Sequence, residues 1–208
     1  MITVAFEGGE GSGKDTVVAD LKKHLEDKGL KVLVVREPGG CDVAEKLREI
    51  LLHNEMSGEA EFLLLMASRV QLHKDIEHKL DGVDVLIKNR CFASSIVYQG
   101  VVKNVGVGRC KDVIDRFRLD LDPIDATILM DVDAEVGLQR AGTRSETDRF
   151  EQSGLEFHKK VNGTYRKLFT ELREEFKSLL GDMYVVDANK SLEEVKDKTF
   201  KLVDGMLE

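Results

Sequence analysis

A glycine-rich loop at residues 8–14 constrains the fold of this 208-residue chain more than any other feature. The loop reads Gly-Gly-Glu-Gly-Ser-Gly-Lys, follows an apolar run at residues 2–6 and opens a segment with apolar residues at helical spacing. In such a strand–loop–helix unit, backbone N–H groups surround phosphate oxygens and the lysine reaches the outer phosphates. A purely structural glycine turn is the alternative, but it leaves Lys14 unexplained. The sequence therefore predicts a P-loop.

The residue after the loop lysine departs from the usual motif. That position usually holds Ser or Thr, whose hydroxyl contacts magnesium, whereas here it is Asp15. An aspartate in a first helical turn is stabilised by the helix dipole with or without a metal, but a carboxylate beside phosphates needs a cation between them. We therefore expect Mg²⁺ as a cofactor with Asp15 as a candidate ligand. The predicted ATP-binding residues here are Gly8, Gly9, Glu10, Gly11, Ser12, Gly13, Lys14, Asp15 and Thr16.

Apolar runs of strand length alternate with helical patterns along the chain. The predicted strands are residues 2–6, 32–35, 83–87, 126–132 and 183–186. The predicted helices begin after residue 14, at residue 42, at about residue 57, at residue 153 and after residue 191. This alternation predicts one α/β domain of three layers, a five-stranded parallel sheet with helices on both faces. Ligands should bind at the carboxyl ends of the strands.

Three details of the helices are also predicted. Glu45 follows Asp42 by three residues, which is the spacing of a capping box. The same helix is expected to turn one apolar face to the core, with Leu47, Ile50 and Leu51. Residues 153–180 read as a single long helix, since glycine follows only at position 181.

Composition excludes several classes of partner. The formal net charge of −8 argues against nucleic-acid binding, which requires a basic face. No segment resembles a membrane span or a signal peptide, so we expect a cytoplasmic protein with no membrane partner. Cys41, Cys91 and Cys110 lack the paired CxxC spacing of zinc or redox sites, and we expect reduced thiols.

Further motifs are Phe-Glu-Gly at residues 6–8, Arg-Glu-Pro-Gly-Gly at 36–40, Ser-Arg-Val-Gln at 68–71, Arg90 with the segment 94–100, Asp-Arg-Phe-Glu at 148–151, and Val-Asp-Ala at 186–188. These motifs resemble those of the bacterial-type thymidylate kinases, members of the P-loop nucleoside monophosphate kinase superfamily. The motifs occur in order over essentially the whole chain. The resemblance implies the three-layer P-loop kinase fold, ATP and dTMP as substrates, dTDP as product and a homodimer.

The resemblance also implies roles for individual residues. Arg48 and Arg90 would hold the acceptor phosphate, as planar guanidiniums do, and Glu10 would reach the 3′-hydroxyl of the sugar. Arg69, Ser95 and Gln99 would contact the thymine base, while Tyr98 would crowd the 2′ position and favour deoxyribose. Taken alone, Arg48 and Arg69 could be surface charges and Tyr98 a core aromatic. The implied substrate-binding residues are Glu10, Glu37, Arg48, Arg69, Arg90, Ser95, Tyr98 and Gln99.

A polar stretch at residues 142–148 predicts a flexible lid, at about residues 141–150. Arg140, Arg144 and Arg149 bracket it, although a run of charges can also be only a solvated loop. In the family that the chain resembles, lid arginines close over ATP and stabilise the charge of the transferred group. The implied catalytic residues are Lys14, Arg90, Arg144 and Arg149, and Arg140 would bind ATP.

Departures from the family pattern lead to three hypotheses. Asn89 stands where these kinases usually have an aspartate near the metal, so Asp15 and Asn89 together suggest that one carboxylate has moved to the P-loop. Leu65 replaces the usual base-stacking phenylalanine, which leaves a broader deoxynucleoside monophosphate kinase as an alternative. Cys91 stands where these kinases usually have a tyrosine, and the altered residues at 15, 89 and 91 leave a non-catalytic nucleotide-binding regulator open. A switch GTPase fits less well, because the sequence has no Asn-Lys-x-Asp-like guanine motif.

Overall fold

The structure, a computed structural model, describes residues 1–117, 123–142 and 153–208. The predicted parallel sheet is confirmed, with strands in the order β2-β3-β1-β4-β5. Its strands are β1 (Ile2–Glu7), β2 (Val32–Arg36), β3 (Val85–Asn89), β4 (Ala126–Asp131) and β5 (Asp182–Asp187). The chain after β1 returns over one face of the sheet, whereas the chain after β3 returns over the other face. The chain therefore diverges at β1, next to β3 and β4. The crevice at the carboxyl ends of these three strands is where ligands bind in such sheets.

Helices connect the strands. They are α1 (Lys14–Asp27), α2 (Asp42–His53), α3 (Gly58–Ile76), α4 (Phe92–Ser95), α5 (Val107–Phe117), α6 (Ala134–Ala141), α7 (Leu155–Thr170), α8 (Arg173–Leu180) and α9 (Leu192–Asp204). A 3₁₀ turn, Glu77–Lys79, follows α3, and a π-helical segment, Ile96–Val102, continues α4. Within these described ranges no helix is long and apolar enough to cross a membrane.

Two apolar layers cover the sheet. Val4 and Phe6 pack with residues of α1 and α9, such as Leu21 and Val203. The intervening Ala5 faces the other side, in a cluster built from α3, α4, α5, α7 and α8. This alternation follows from the two-residue period of a strand, and it confirms the three-layer arrangement.

The predicted single helix at 153–180 is wrong. The chain forms α7 and α8 instead, and the Leu172 N–H donates to the carbonyl of Lys167 at 3.2 Å, five residues back. This break redirects the chain, and Phe176 and Leu180 of α8 are fully buried in the same cluster as Leu168 of α7. Tertiary packing of the second half therefore outweighs continuation of the helix.

The predicted capping box of α2 is also wrong. Cys41 is the N-cap and makes no side-chain capping hydrogen bond. The Glu45 carboxylate instead accepts from the Gly40 N–H at 2.7 Å and from Arg36 Nη2 at 2.6 Å, so it fixes the loop after β2. Of the predicted apolar face, Leu51 is buried, but Ile50 is 43% exposed.

Candidate active site

The P-loop packs directly against the start of α6. Gly11 has a left-handed φ of 65°, and a Cβ at this position would lie 1.9 Å from the carbonyl oxygen of Gly137. Gly13, at the N-cap of α1, also has a positive φ, 81°. Only glycine combines this backbone geometry with so close an approach, because it lacks Cβ. The loop therefore has a fixed shape at the N-terminus of α1, where the first backbone N–H groups of a helix have no partner within the helix and can bind phosphate.

Lys14 is held inside the loop. Its Nζ donates to the carbonyl oxygens of Gly8 and Gly9 and to Ser12 Oγ, each at 3.0 Å. Burial, followed by the nearby positive charge of Arg90, lowers the pKa of Lys14 from 10.5 to about 7. An incoming phosphate would supply the negative charge that favours the protonated lysine.

Glu7, at the carboxyl end of the central strand, organises the start of α4. Its buried carboxylate accepts from the N–H groups of Cys91 and Ser94 at 2.8 and 3.0 Å. It also accepts from Ser94 Oγ at 2.6 Å and from the Tyr165 hydroxyl at 2.9 Å. The sequence predicted no role for Glu7, although an acid that ends an apolar strand beside a P-loop is a signal of one. Glu7 is a positioning residue for the segment that carries Arg90.

Arg90 joins the P-loop to the segment that follows β3. It has a left-handed φ of 71°, a conformation that costs about 1–3 kcal/mol for a residue other than glycine and marks many functional sites. Its Nη1 donates to the Gly8 carbonyl at 3.0 Å and to Ser94 Oγ at 3.1 Å. The guanidinium carbon lies 5.7 Å from the centre of the Tyr98 ring. Arg90 is thus a cation at the boundary between the P-loop and the neighbouring cavity.

That cavity has a volume of about 320 Å³ and extends from P-loop residues 10–15 to α3 and the α4 segment. All the predicted substrate-binding residues line it: Glu10, Glu37, Arg48, Arg69, Arg90, Ser95, Tyr98 and Gln99. Leu65 lines it as well. The structure therefore brings together residues that are up to 89 positions apart in the sequence, from Glu10 to Gln99.

Two arginines of the cavity are held by different partners. Arg69 is buried, and its Nε pairs with the buried Glu37 carboxylate at 2.5 Å. Its Nη2 lies 3.5 Å from Ser95 Oγ, and the guanidinium stacks 4.7 Å from the centre of the Phe92 ring. Arg48 on α2 donates to the carbonyl of Pro38 at 3.1 Å. Glu37 therefore positions Arg69, whereas Arg48 is held by the loop that also carries Glu37.

The two unusual residues of the predicted metal site touch each other. Asn89 ends β3, and its Nδ2 donates to Asp15 Oδ1 at 2.6 Å. Both line the cavity at the P-loop. An aspartate at each position would place two carboxylates together, so one acid and one amide form a compatible pair.

The remaining predicted residues do not line the cavity or lie outside the described ranges. Gly8 and Gly9 are buried at the start of the loop, and Thr16 is exposed on α1. Arg140 donates to the carbonyl of Ala188 at 2.7 Å and so links α6 to the segment after β5. Arg144 and Arg149 lie outside the described residues, as does most of the predicted lid.

A P-loop that adjoins an arginine-lined cavity of nucleotide size defines a P-loop kinase of the nucleoside monophosphate kinase type. The comparisons with known proteins specify the family. The family model for thymidylate kinase matches residues 6–199. A thymidylate kinase of Francisella philomiragia is 34% identical over 210 aligned residues, which cover 97% of each chain. One of Francisella tularensis subsp. holarctica is 34% identical over 97% of this chain and 94% of its own. The chain belongs to the thymidylate kinase family, and it is a phosphotransferase.

Proposed function

We propose that this enzyme transfers the γ-phosphoryl group of ATP directly to dTMP, yielding ADP and dTDP. The observation that carries the proposal is the position of Arg90. Its Nη1 contacts the P-loop carbonyl of Gly8 at 3.0 Å while the same residue lines the adjacent cavity. A phosphate bound by Arg90 would lie beside phosphates bound by the loop. Donor and acceptor would thereby be aligned for in-line transfer.

On the donor side, the loop N–H groups and Lys14 bind the β- and γ-phosphates. Lys14 exchanges its contacts with Gly8, Gly9 and Ser12 for phosphate oxygens and carries a full positive charge there. Arg140 supports the ATP site from α6. Arg144 and Arg149 of the lid complete it by neutralising charge on the transferred group. No covalent intermediate is needed, because the protein positions both substrates and stabilises charge.

On the acceptor side, Arg48 and Arg90 bind the dTMP phosphate, and Glu10 binds the 3′-hydroxyl. Tyr98 packs near the 2′ carbon and disfavours ribose. Arg69, which is fixed by Glu37, contacts the base together with Ser95 and Gln99. Leu65 provides an apolar wall without an aromatic ring, so the base is held mainly by these polar contacts.

Magnesium binding is compatible with the residues present at the loop. Asp15 offers hard carboxylate oxygens beside the phosphate site, and it accepts a hydrogen bond from the neutral amide of Asn89. Within residues 1–117, 123–142 and 153–208 no three His, Cys, Asp or Glu side chains form a metal cluster. The protein would therefore supply few ligands and leave the rest to phosphates and water, as is usual for Mg²⁺. We propose that Asp15 is the acidic ligand, and that the ion neutralises phosphate charge.

We further propose that the enzyme is a cytoplasmic homodimer. Helices α2 and α3 expose large apolar side chains: Val43 (47%), Ile50 (43%) and Leu63 (57%). Such surface favours burial against a second copy. Sedimentation velocity of Leu63→Glu should show a shift toward monomer. Leu192→Glu is the matched control, because Leu192 is comparably exposed, at 44%, but lies on α9.

An ADP-release assay with ATP and Mg²⁺ tests the proposed reaction. We expect ADP release to depend on dTMP, and Arg90→Lys to lower kcat/KM for dTMP by roughly 100-fold or more because the bidentate phosphate contact is lost. Arg109→Lys is the control, since Arg109 is exposed, is paired with Glu59 and does not line the cavity. ADP release that is independent of any nucleoside monophosphate would contradict the proposal. Equal rates with dTMP, dUMP, dCMP, dGMP and dAMP would favour the broader kinase instead.

A further inference from the structure

A buried acid–amide pair forms the wall of the cavity beyond Arg69. Glu61, in the first turn of α3, is fully buried, and Gln99, in the π-helical segment after α4, is 2% exposed. Gln99 Nε2 donates to Glu61 Oε1 at 2.5 Å, and both residues line the cavity. The two residues lie 38 positions apart in the sequence, so the fold alone creates this contact.

The chemistry of this pair fixes which way the Gln99 amide faces. A carboxylate can only accept hydrogen bonds, so it must take the NH₂ group of the amide and exclude its oxygen. Gln99 Oε1 is correspondingly directed away from that contact, and it is a buried acceptor that has no partner among the described residues. Buried acceptors are normally satisfied, so this one is suited to a donor on a ligand.

Arg69 presents hydrogen-bond donors to the same cavity, in contrast to the acceptor of Gln99. A guanidinium has only donors, and Nη2 of Arg69 lies 3.5 Å from Ser95 Oγ on the segment that also carries Gln99. The cavity therefore presents a donor-only group and a fixed acceptor. Thymine and uracil have the complementary edge, a carbonyl at position 4 beside an N–H at position 3. Cytosine has the reverse edge, an amino group beside an unprotonated ring nitrogen.

We propose that Glu61 is a positioning residue for base selection: it locks the Gln99 amide so that the enzyme accepts 4-oxo pyrimidines and rejects cytosine. This inference rests on the proposed function, since it assumes that the base occupies the Arg69–Gln99 end of the cavity. Glu61 acts through Gln99 and need not touch the nucleotide. Selection by a locked acceptor also explains how a cavity with Leu65 in place of an aromatic wall can still discriminate between bases of equal size.

Glu61→Gln removes the carboxylate that fixes the orientation of the Gln99 amide, with little change in side-chain size. A glutamine at this position can donate or accept, so the Gln99 amide can reverse and offer its NH₂ group to cytosine. We measure the ratio of kcat/KM for dUMP over dCMP, two nucleotides of nearly the same shape. The ratio should fall at least about tenfold in Glu61→Gln, because a buried acceptor no longer faces the acceptor nitrogen of cytosine. Calorimetric Kd values for both nucleotides, measured without ATP, should change in the same direction.

Asp75→Asn is the matched control. It makes the same acid-to-amide change on the same helix, at a partner of another glutamine, since Gln71 Nε2 donates to Asp75 Oδ1 at 3.1 Å. Neither residue lines the cavity. The dUMP-to-dCMP ratio should be unchanged in this variant, whereas a general loosening of α3 would alter both variants alike.

A reversed pair, Glu61→Gln with Gln99→Glu, covers the case in which the single variant does not fold. A carboxylate at position 99 presents an acceptor in either orientation, so the double variant should again reject dCMP. A folded Glu61→Gln that keeps the wild-type ratio, or a double variant that accepts dCMP, overturns the inference. If the wild type shows no turnover with any nucleotide, the proposed function fails, and the calorimetric ratio still tests the orientation of the amide.

Discussion

Replacement of Asn89 by aspartate would place two carboxylates against each other at the P-loop. In the native protein Asn89 Nδ2 donates to Asp15 Oδ1 at 2.6 Å. The variant loses this hydrogen bond, worth about 1 kcal/mol net. It also brings two negative charges to within roughly 4 Å, where they repel by about 1 kcal/mol in water-like surroundings. Because Asp15 is exposed, the water-like value applies. We expect Asn89→Asp to lower the free energy of unfolding by about 2 kcal/mol at pH 7.

A second substitution, at Asp15, should restore part of the lost free energy of unfolding. Asp15→Thr replaces the other carboxylate by a hydroxyl that can donate to the new acid. Urea denaturation of the four proteins without nucleotide or Mg²⁺ gives the coupling energy between the two positions. Far-UV circular dichroism is the suitable probe, because the chain contains no Trp. We expect a coupling of about 1–2 kcal/mol in favour of the double variant, and a value below about 0.5 kcal/mol would refute the reasoning.

The same four proteins test the metal hypothesis. If the carboxylate has moved from the end of β3 to the P-loop, Asp15→Thr alone should raise the Mg²⁺ concentration needed for half-maximal activity. The double variant should restore a lower requirement, because it returns an acid to position 89. Mg²⁺ titrations followed by calorimetry in the presence of ADP provide a readout that does not depend on turnover. Unchanged Mg²⁺ affinity in Asp15→Thr would exclude Asp15 as the ligand.

Three further predictions follow from contacts around the site. Because burial lowers the pKa of Lys14 to about 7, ATP binding at pH 8 should take up a proton as phosphate charge restores the ammonium form. Calorimetry in buffers of different ionisation enthalpy should detect this uptake in wild type and not in the permanently charged Lys14→Arg. Gly137→Ala should raise the KM for ATP and destabilise the protein by about 1–3 kcal/mol, since its Cβ would lie 2.2 Å from the carbonyl oxygen of Glu10. Gly163→Ala, which meets nothing within 4 Å, should leave both quantities unchanged or improve stability, and equal losses in the two variants would contradict the contact. Glu37→Gln leaves a buried guanidinium without its countercharge and should lower the free energy of unfolding by about 3 kcal/mol; an unchanged urea midpoint would show that the ion pair contributes nothing.

Local sequence was sufficient for the features that depend on short-range patterns. The P-loop is encoded within residues 8–14, and its geometry requires glycine where the backbone is left-handed or closely packed. The strands follow from apolar runs, because a parallel sheet covered on both faces needs residues that are buried on both sides. The predicted substrate-binding residues were identified through the family resemblance, and the fold brings all of them to one cavity.

Features that depend on distant partners could not be predicted in this way. Glu7 is satisfied by Tyr165, 158 residues away, and Glu61 acts on Gln99 from another helix. Glu45 has the spacing of a capping residue, but Arg36 and Gly40 compete for it successfully. In each case a carboxylate takes its partner from the tertiary structure, which neither periodicity nor local propensity encodes.

The proposed reaction is tested most directly by ³¹P NMR of the protein with ATP, Mg²⁺ and dTMP. Direct transfer predicts that the γ-phosphate signal of ATP falls while the two signals of dTDP rise in equal amount, without inorganic phosphate. An unchanged spectrum, or loss of the γ-phosphate to inorganic phosphate while dTMP stays intact, would contradict the proposal.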